Sequence, residues 1–248
     1  MTSTTTEAPR PSDGWFVTTH WSMVLAAGRS DTPRAQAALE TLCQSYWPPL
    51  YAYARRRGHS PEDAQDLTQE FFARLLERGS VAGARPEKGR FRSFLLASMN
   101  HFLADAWDKA RAQKRGGGKV ISLDLATAET QLGQSPADQL TPEQAFEHRW
   151  AITLLELVYQ RLEQEYQQDK KGELFAALRT ALTGERSAVP YAALAAPLGM
   201  SEGAVKVAVH RLRQRYRELL RATIAETVAG PEEVEDELRH LFAVLAGG

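Results

Sequence analysis

The residues with the clearest chemical potential are basic side chains that recur at helical spacing within residues 191–221. They follow one another at three- and four-residue steps and are Lys206, His210, Arg213, Arg217 and Arg221. One stripe of a helix would therefore carry groups that can pair bidentately with guanine or neutralise phosphates. The stripe predicts nucleic-acid binding, with a solvated basic helix as the alternative.

The elements that must position this stripe are two helices joined by a tight turn. A first helix is predicted over residues 191–198, followed by Gly199, where a left-handed turn residue costs least. Ser201 has N-cap chemistry for the second helix, and Glu202 lies in its first turn. The side opposite the cations is apolar and consists of Val205, Ala208, Val209, Leu212, Tyr216, Leu219 and Leu220. The arrangement predicts a helix-turn-helix and favours DNA binding over a solvated helix.

A second pattern, within residues 60–77, predicts a surface that binds another protein. Ser60 and Pro61 are typical of a helix start. The buried stripe of this helix is predicted to be Ala64, Leu67, Phe71 and Leu75. Off that stripe lie Asp66, Gln69, Glu70, Phe72 and Leu76. Polar groups mixed with exposed apolar side chains are typical of a docking face. Periodicity leaves open the alternative that Phe72 and Leu76 only widen the core stripe.

A third pattern, over residues 91–113, predicts one long helix or two joined helices. The core side is predicted to be Leu95, Leu96, Met99, Phe102, Leu103, Ala106, Trp107 and Ala110. Basic side chains alternate with aromatic ones along this stretch. Such a pattern suits single-stranded nucleic acid, because bases stack on rings within a positive groove. An ordinary amphipathic helix is the alternative.

Taken together, the patterns predict an all-α chain with two helical domains joined by a flexible linker. The predicted parts are a leader with a short helix, residues 1–34; an N-terminal helical domain, 35–113; a basic linker, 114–140; a helix-turn-helix domain, 141–222; and an amphipathic extension, 223–248. Pro48 and Pro49 are expected to interrupt the first long helix. Pro231 is expected to open the helix of the extension. Its apolar stripe should dock either on the chain's own C-terminal domain or in a regulatory contact.

Composition and missing motifs narrow the class of protein. The net charge of the 248 residues is −1, so local patches rather than overall charge must attract a nucleic acid. Cys43 stands alone, which excludes an internal disulfide and suits a reducing compartment. Without a signal-peptide core or a membrane-length apolar run, a cytoplasmic protein is expected. The six histidines lack metal-ligand spacing, and nucleophile or dinucleotide motifs are missing, so we expect no enzyme, metal or cofactor.

Three segments of the chain resemble bacterial sigma factors of the sigma-70 class, in particular the extracytoplasmic-function (ECF) group. DAQDLTQEFFARLLE, residues 63–77, resembles the sigma segment that docks on the clamp helices of the RNA polymerase β′ subunit. GRFRSFLLASMNHFLADAWDKAR, residues 89–111, resembles the segment that melts and captures the −10 element. SEGAVKVAVHRLRQRYRELL, residues 201–220, resembles the promoter-reading helix of the C-terminal sigma domain.

The resemblance implies three sets of functional residues. The polymerase-docking set is Asp66, Gln69, Glu70, Phe72 and Leu76, which favours an interface role for Phe72. The −10 set is Phe91, Arg92, Ser93, Phe94, Asn100, His101 and Arg111. The −35 set is Ser201, Glu202, Lys206, His210, Arg211 and Arg213. The family commonly has Trp where this chain has Phe94, which bears on the captured base.

The function that the resemblance implies is that of a sigma factor, which directs core RNA polymerase to promoters and helps to melt them. The expected partners are the β′ clamp and β flap of core polymerase, promoter DNA, and an anti-sigma factor or another regulator, with no membrane. A stand-alone helix-turn-helix regulator and a polymerase-sequestering protein are the competing functions. The docking segment at residues 63–77 separates them, because a plain repressor has no need of it.

Overall fold

The structure is a computed structural model that describes residues 33–76, 90–112, 140–182, 190–228 and 230–247. The α-helices in these ranges are α1 Pro33–Arg56, α2 Pro61–Leu76, α3 Phe91–Ala112, α4 Pro142–Gln168, α5 Gly172–Leu178, α6 Tyr191–Leu198, α7 Glu202–Ala225 and α8 Val234–Leu245. Single 3-10 turns occupy Arg179–Leu182 and Pro231–Glu233. No strand occurs within the described ranges, which confirms the all-α prediction. The short helix predicted in the leader and residues 114–139 of the predicted linker lie outside the described residues.

Local side-chain caps fix the starts of three helices. The Ser60 hydroxyl accepts a hydrogen bond from the backbone N–H of Asp63 at 3.1 Å, at the start of α2. Thr141 and Gln144 form a reciprocal capping box at the start of α4. The Ser201 hydroxyl accepts from the N–H of Ala204 at 3.2 Å, which caps α7. Because these bonds are local, the sequence alone determines where these helices begin.

The two prolines of α1 do not end it. Pro48 and Pro49 lie inside the continuous helix Pro33–Arg56, so the predicted interruption is wrong. Proline in a helix interior costs about 3 kcal/mol through a lost hydrogen bond and a steric clash. That cost is offset by tertiary packing, since Tyr46 and Leu50 on either side of the prolines are 0 % exposed.

A single hydrophobic core joins the helices of the N-terminal and C-terminal parts. Its most extensive helix pair is α1 against α4. Tyr46 of α1, Phe91 of α3, Trp150 of α4, Ile224 of α7 and Leu241 of α8 all belong to it. The domain boundaries predicted at 35–113 and 141–222 stay a prediction, and in this structure both parts contribute to one core.

Helices α6 and α7 meet at an angle of 100°. Gly199 ends α6 with φ of 60°, the left-handed conformation that glycine adopts without steric cost. The predicted apolar side of α7 is its packed side: Val205, Val209, Leu212, Leu219 and Leu220 are buried. Over the described residues no single helix has the length and apolar composition of a membrane span, and α6 with α7 passes that test only when counted as a bent pair.

The C-terminal helix α8 docks on the body of the protein. It packs against α4 and α7 and buries Leu238 and Leu241. Phe242, which the sequence places on the same apolar stripe, is 56 % exposed, because the buried face of α8 is narrower than the stripe. The structure therefore has the extension docked on the chain's own C-terminal part, as one of the two alternatives expects.

The central position of α4 gives a test of the fold. Leu162 is 0 % exposed, so Leu162→Ala should leave a cavity and lower the free energy of unfolding by about 2–5 kcal/mol. Gln160→Ala, at an exposed position of the same helix, should change it by less than about 0.5 kcal/mol. Urea unfolding followed by circular dichroism measures both. Equal midpoints for the two variants would contradict the buried position of Leu162.

Candidate nucleic-acid interface and the Arg92 cluster

The first turns of α7 present an exposed basic face. Lys206, His210 and Arg211 are exposed, as is Glu202 at the helix start. These side chains lie where the sequence predicts them and can meet a groove or a phosphate. Ser201 is also exposed, and its hydroxyl is used as the N-cap of α7.

Arg213 differs from its predicted place on this exposed face. It is half-buried, and its Nε donates a hydrogen bond to the backbone carbonyl of Ala181 at 2.9 Å. The guanidinium therefore caps the 3-10 turn Arg179–Leu182, whose Ala181 carbonyl faces α7. Its prediction as a fully exposed base-reading residue is corrected, because local periodicity cannot show that another element approaches this side of the helix.

One residue of this face was missed by the sequence reasoning. Val207 is 49 % exposed between Lys206 and His210. An apolar side chain on a groove-facing helix can contact the methyl group of thymine. The signal was present in the sequence, since Val207 is an apolar residue off the buried stripe of α7.

Farther along α7, two arginines are engaged by acids of other helices. Arg215 binds Glu165 of α4, with Nη2 to Oε1 at 2.6 Å and Nε to Oε2 at 2.7 Å. Arg221 forms an ion pair with Glu235 of α8. Arg217 is exposed and has no ion pair within the part of the chain that the structure describes. The cations available to an anionic ligand are thus concentrated in the first half of α7, with Arg217 beyond them.

The predicted docking set on α2 is divided by the structure. Asp66 and Glu70 are exposed, with Glu70 paired to Arg74 one turn later, and Gln69 is half-buried. Phe72 is only 6 % exposed and has its ring 5.8 Å from that of Phe71. The prediction of an exposed Phe72 is wrong, because the core reaches around α2 and the side chain widens the apolar stripe. The side chain of Leu76 lies outside the described residues.

The predicted −10 set on α3 is divided in the same way. Ser93, Asn100 and His101 are exposed, and the Asn100 side-chain carbonyl accepts from the Tyr53 hydroxyl at 3.4 Å. Phe94 is half-buried and packs on the core. The side chain of Arg111 lies outside the described residues.

Trp107 of α3 is 63 % exposed, although the sequence places it on the core side. No described side chain of α3 beyond Leu103 is buried, so the helix continues past the end of the core. Periodicity identifies the stripe but not the point where the packed neighbours end.

Phe91 and Arg92 are the two members of the −10 set that the structure buries. Phe91 is 0 % exposed, and its ring and that of Tyr46 form an edge-to-face pair with centroids 5.3 Å apart. Arg92 is 4 % exposed. Their prediction as accessible DNA-binding residues does not hold in this structure. The reason for Arg92 is its register, since it lies three and seven residues before Leu95 and Met99 on the core stripe.

The burial of Arg92 is compensated by groups from two other helices, α4 and α8. Its Nε donates to Oε1 of Glu237 at 2.7 Å, and its Nη1 pairs with Glu147 of α4. The guanidinium carbon lies 5.0 Å from the centre of the Trp150 ring, a cation–π contact. We call these residues, with Arg90 and His240, the Arg92 cluster. Arg90 Nε is 2.8 Å from Oε2 of Glu237, and His240 Nε2 is 3.0 Å from Oε2 of Glu147.

The electrostatics of the cluster follow from burial and charge. Burial acts to lower the pKa of Arg92, but hydrogen bonds and charges of Glu237 and Glu147 outweigh it, so the pKa lies above its ordinary value. Burial, followed by the charge of Glu237, raises the pKa of the neighbouring Tyr46 hydroxyl. Arg92 therefore stays charged, and its pairing with two carboxylates is required rather than incidental.

The described residues contain no group of three or more His, Cys, Asp or Glu side chains that could hold a metal ion.

A cavity of about 540 Å³ lies between the start of α4 and the end of α8. Its lining includes Leu140, Glu143, His148, Val244 and Leu245.

The ion pair between α4 and α7 gives a prediction about pH. Hydrogen bonds from Arg215 hold the pKa of Glu165 below its ordinary value. The pair therefore stabilises the fold above the unfolded Glu pKa of about 4.3, and this contribution is lost as the pH falls through the lower folded value. Glu165→Gln should reduce stability at pH 7 by less than about 1 kcal/mol, since both side chains are more than a third exposed.

Thermal unfolding of wild type and Glu165→Gln at a series of pH values measures this contribution. The difference should disappear in acid below the folded pKa of Glu165. Glu173→Gln, which removes an exposed acid of α5 with no ion pair in the described ranges, is the control and should match wild type throughout. A difference that grows as the pH falls would contradict the prediction.

The chain was compared with known protein families, curated proteins and solved structures. Residues 42–113 match the family described as Sigma-70 region 2. Neither the curated proteins nor the solved structures gave a match. The matched segment contains the second half of α1, all of α2 and all of α3, and it ends where the described part of α3 ends. It therefore includes every residue of the predicted docking and −10 sets, and over this segment the chain is similar to sigma factors of the sigma-70 family.

Proposed function

We propose that the chain is a promoter-specificity subunit of bacterial RNA polymerase, of the ECF group. The observation that carries the proposal is the Sigma-70 region 2 match over residues 42–113. A stand-alone repressor would have no use for this segment. The chain would supply recognition and strand separation, and the polymerase would supply the catalysis.

The exposed acids of α2 are the proposed contact with core polymerase. Asp66 and Glu70 are exposed on one helix, four residues apart. Residues at this spacing share a helix face, so both can meet a basic surface of the β′ clamp helices. Phe72 has a different task in this proposal, since its buried ring holds α2 against the core.

Helices α6 and α7 are the proposed helix-turn-helix for the −35 element. Their angle of 100° lies in the range typical of such units. The N-terminal residues of a recognition helix contact base edges, and in α7 these include the exposed Lys206, Val207, His210 and Arg211. Arg213 would support this face by holding the 3-10 turn behind it.

The exposed part of α3 is the proposed contact with the −10 element. Ser93, Asn100 and His101 offer hydrogen-bonding groups to single-stranded DNA. The exposed Trp107 indole offers a surface on which a base can stack. Phe91 and Arg92 can join this set only if their buried environment opens.

Promoter reading is tested by substitution of Lys206. In vitro transcription with purified core polymerase and a library of promoter fragments first yields a promoter. Lys206→Ala should then weaken promoter binding by about 1–3 kcal/mol if the side chain reads a base, with relaxed preference at one −35 position. Lys171→Ala removes another exposed cation, outside α7, and should leave binding unchanged. Equal binding by both variants would show that α7 is not the reading helix.

Polymerase docking is tested by a double substitution on α2. Asp66→Ala with Glu70→Ala should weaken core-polymerase binding by several-fold to about a hundred-fold, because both acids lie at the proposed interface. The change in unfolding temperature should be small, since both positions are exposed. Glu173→Ala is the matched control. Unchanged affinity in a titration would place the docking surface elsewhere, and Phe72→Ala should instead destabilise the fold.

A further inference from the structure

Helix α8 lies outside the Sigma-70 region 2 segment and outside the proposed helix-turn-helix, yet it reaches both. Glu237 of α8 is 0 % exposed and binds the start of α3. Its two carboxylate oxygens hold Arg92 at 2.7 and 3.4 Å and Arg90 at 2.8 Å. Glu235, half a turn before Glu237, pairs with Arg221 of α7. One helix thus connects the beginning of the proposed −10 segment to the proposed −35 helix.

The position of Arg92 depends on this contact. Without Glu237, the buried guanidinium of Arg92 would keep Glu147 as its only carboxylate partner, and a buried charge with half of its partners removed is unfavourable. Undocking of α8 therefore destabilises the buried position of Arg92 and of its neighbour Phe91. Conversely, Arg92 can reach DNA only after its ion pair with Glu237 is broken. The docked state of α8 and the buried state of the start of α3 are two aspects of one conformation.

The docked helix has two buried apolar side chains, while Val234, Val244 and Leu245 pack against the core at partial burial. Leu238 and Leu241 are its only buried apolar side chains among the described residues, and Phe242 on its outer side is 56 % exposed. A DNA phosphate offers Arg90 and Arg92 the same kind of charged acceptor as Glu237. Exchange of one anion for another would release α8 without leaving either arginine unpaired, so the contact is suited to reversal.

We propose that α8 is an autoinhibitory element that holds the start of α3 in the closed core through Glu237. In the closed state Phe91 and Arg92 are kept from promoter DNA, and promoter opening requires α8 to undock. The proposal rests on the proposed sigma function. It assigns a regulatory role to Glu237, which is not one of the proposed promoter-binding residues.

The test compares two isosteric substitutions in the full chain. Glu237→Gln removes the buried charge, whereas Asp236→Asn removes a neighbouring exposed charge whose ion-pair partner, Arg239, lies on the same helix. With core polymerase and a promoter selected by the wild type or by Glu237→Gln, Glu237→Gln should raise transcription on the order of tenfold, a typical coupling between sites. Asp236→Asn should stay close to wild type. Circular dichroism and the unfolding temperature establish that each variant is folded.

Hydrogen–deuterium exchange on the wild type gives a second measurement that needs no substitution. On formation of the promoter complex, the amides of α8 and of residues 91–94 should lose protection together. This measurement decides the question if Glu237→Gln does not fold at the assay temperature. Protection of α8 that persists in the promoter complex would overturn the proposal.

The remaining outcomes separate this inference from the function on which it rests. A folded Glu237→Gln that transcribes like the wild type would show that α8 is only a structural part of the core. If neither protein binds core polymerase nor supports transcription from any promoter, the sigma function itself is wrong, and the inference fails with it. Higher transcription by Glu237→Gln together with loss of α8 protection in the wild type would support both.

Discussion

The buried charge of Arg92 is the constraint on which the arrangement of the helices depends. A guanidinium with 4 % exposure has lost its water and must be paired within the protein. Here one acid comes from α4 and the other from α8, and the Trp150 ring covers the guanidinium. The two acids are 55 and 145 residues away from Arg92 in sequence. The pairing of this one side chain therefore fixes α3, α4 and α8 relative to one another. Apolar contacts in the core place no comparably specific requirement on the positions of these helices.

The hydrophobic core and the ion cluster make different contributions to this fold. Burial of large side chains on α1, α3 and α4 supplies most of the stabilisation. This contribution is roughly proportional to the buried apolar area and depends little on the exact contact geometry. The ion cluster contributes geometry, since charge pairs are effective only at short distances and with the correct partners. The result is a core in which the proposed promoter-melting segment and the C-terminal helix share a boundary. An ion pair of this kind can hold the closed state, and its carboxylate can still be replaced by another anion.

The proposed binding surfaces lie on the outside of this closed arrangement. Asp66 and Glu70 on α2, and Lys206 and His210 on α7, are accessible without any change in the core. By contrast, Phe91 and Arg92 are inside it. Under the proposed function, initial contacts with polymerase and with the −35 element would be compatible with the closed state, whereas engagement of a −10 strand by Phe91 and Arg92 would not. This order of events follows from which side chains are exposed and which are buried.

The sequence by itself determined the helical class, the starts of α2, α4 and α7, and the two sides of α7. Those features depend on caps, turn residues and periodicity, which act over a few residues. The sequence also places Arg92 and Glu237 as charged residues on apolar stripes, a pattern that indicates buried and paired side chains. Only the tertiary structure decided that they pair with each other, that Phe72 faces inward, that Trp107 lies beyond the core and that Arg213 holds Ala181. Local periodicity gives the direction of a side chain, but the element that meets it comes from elsewhere in the chain.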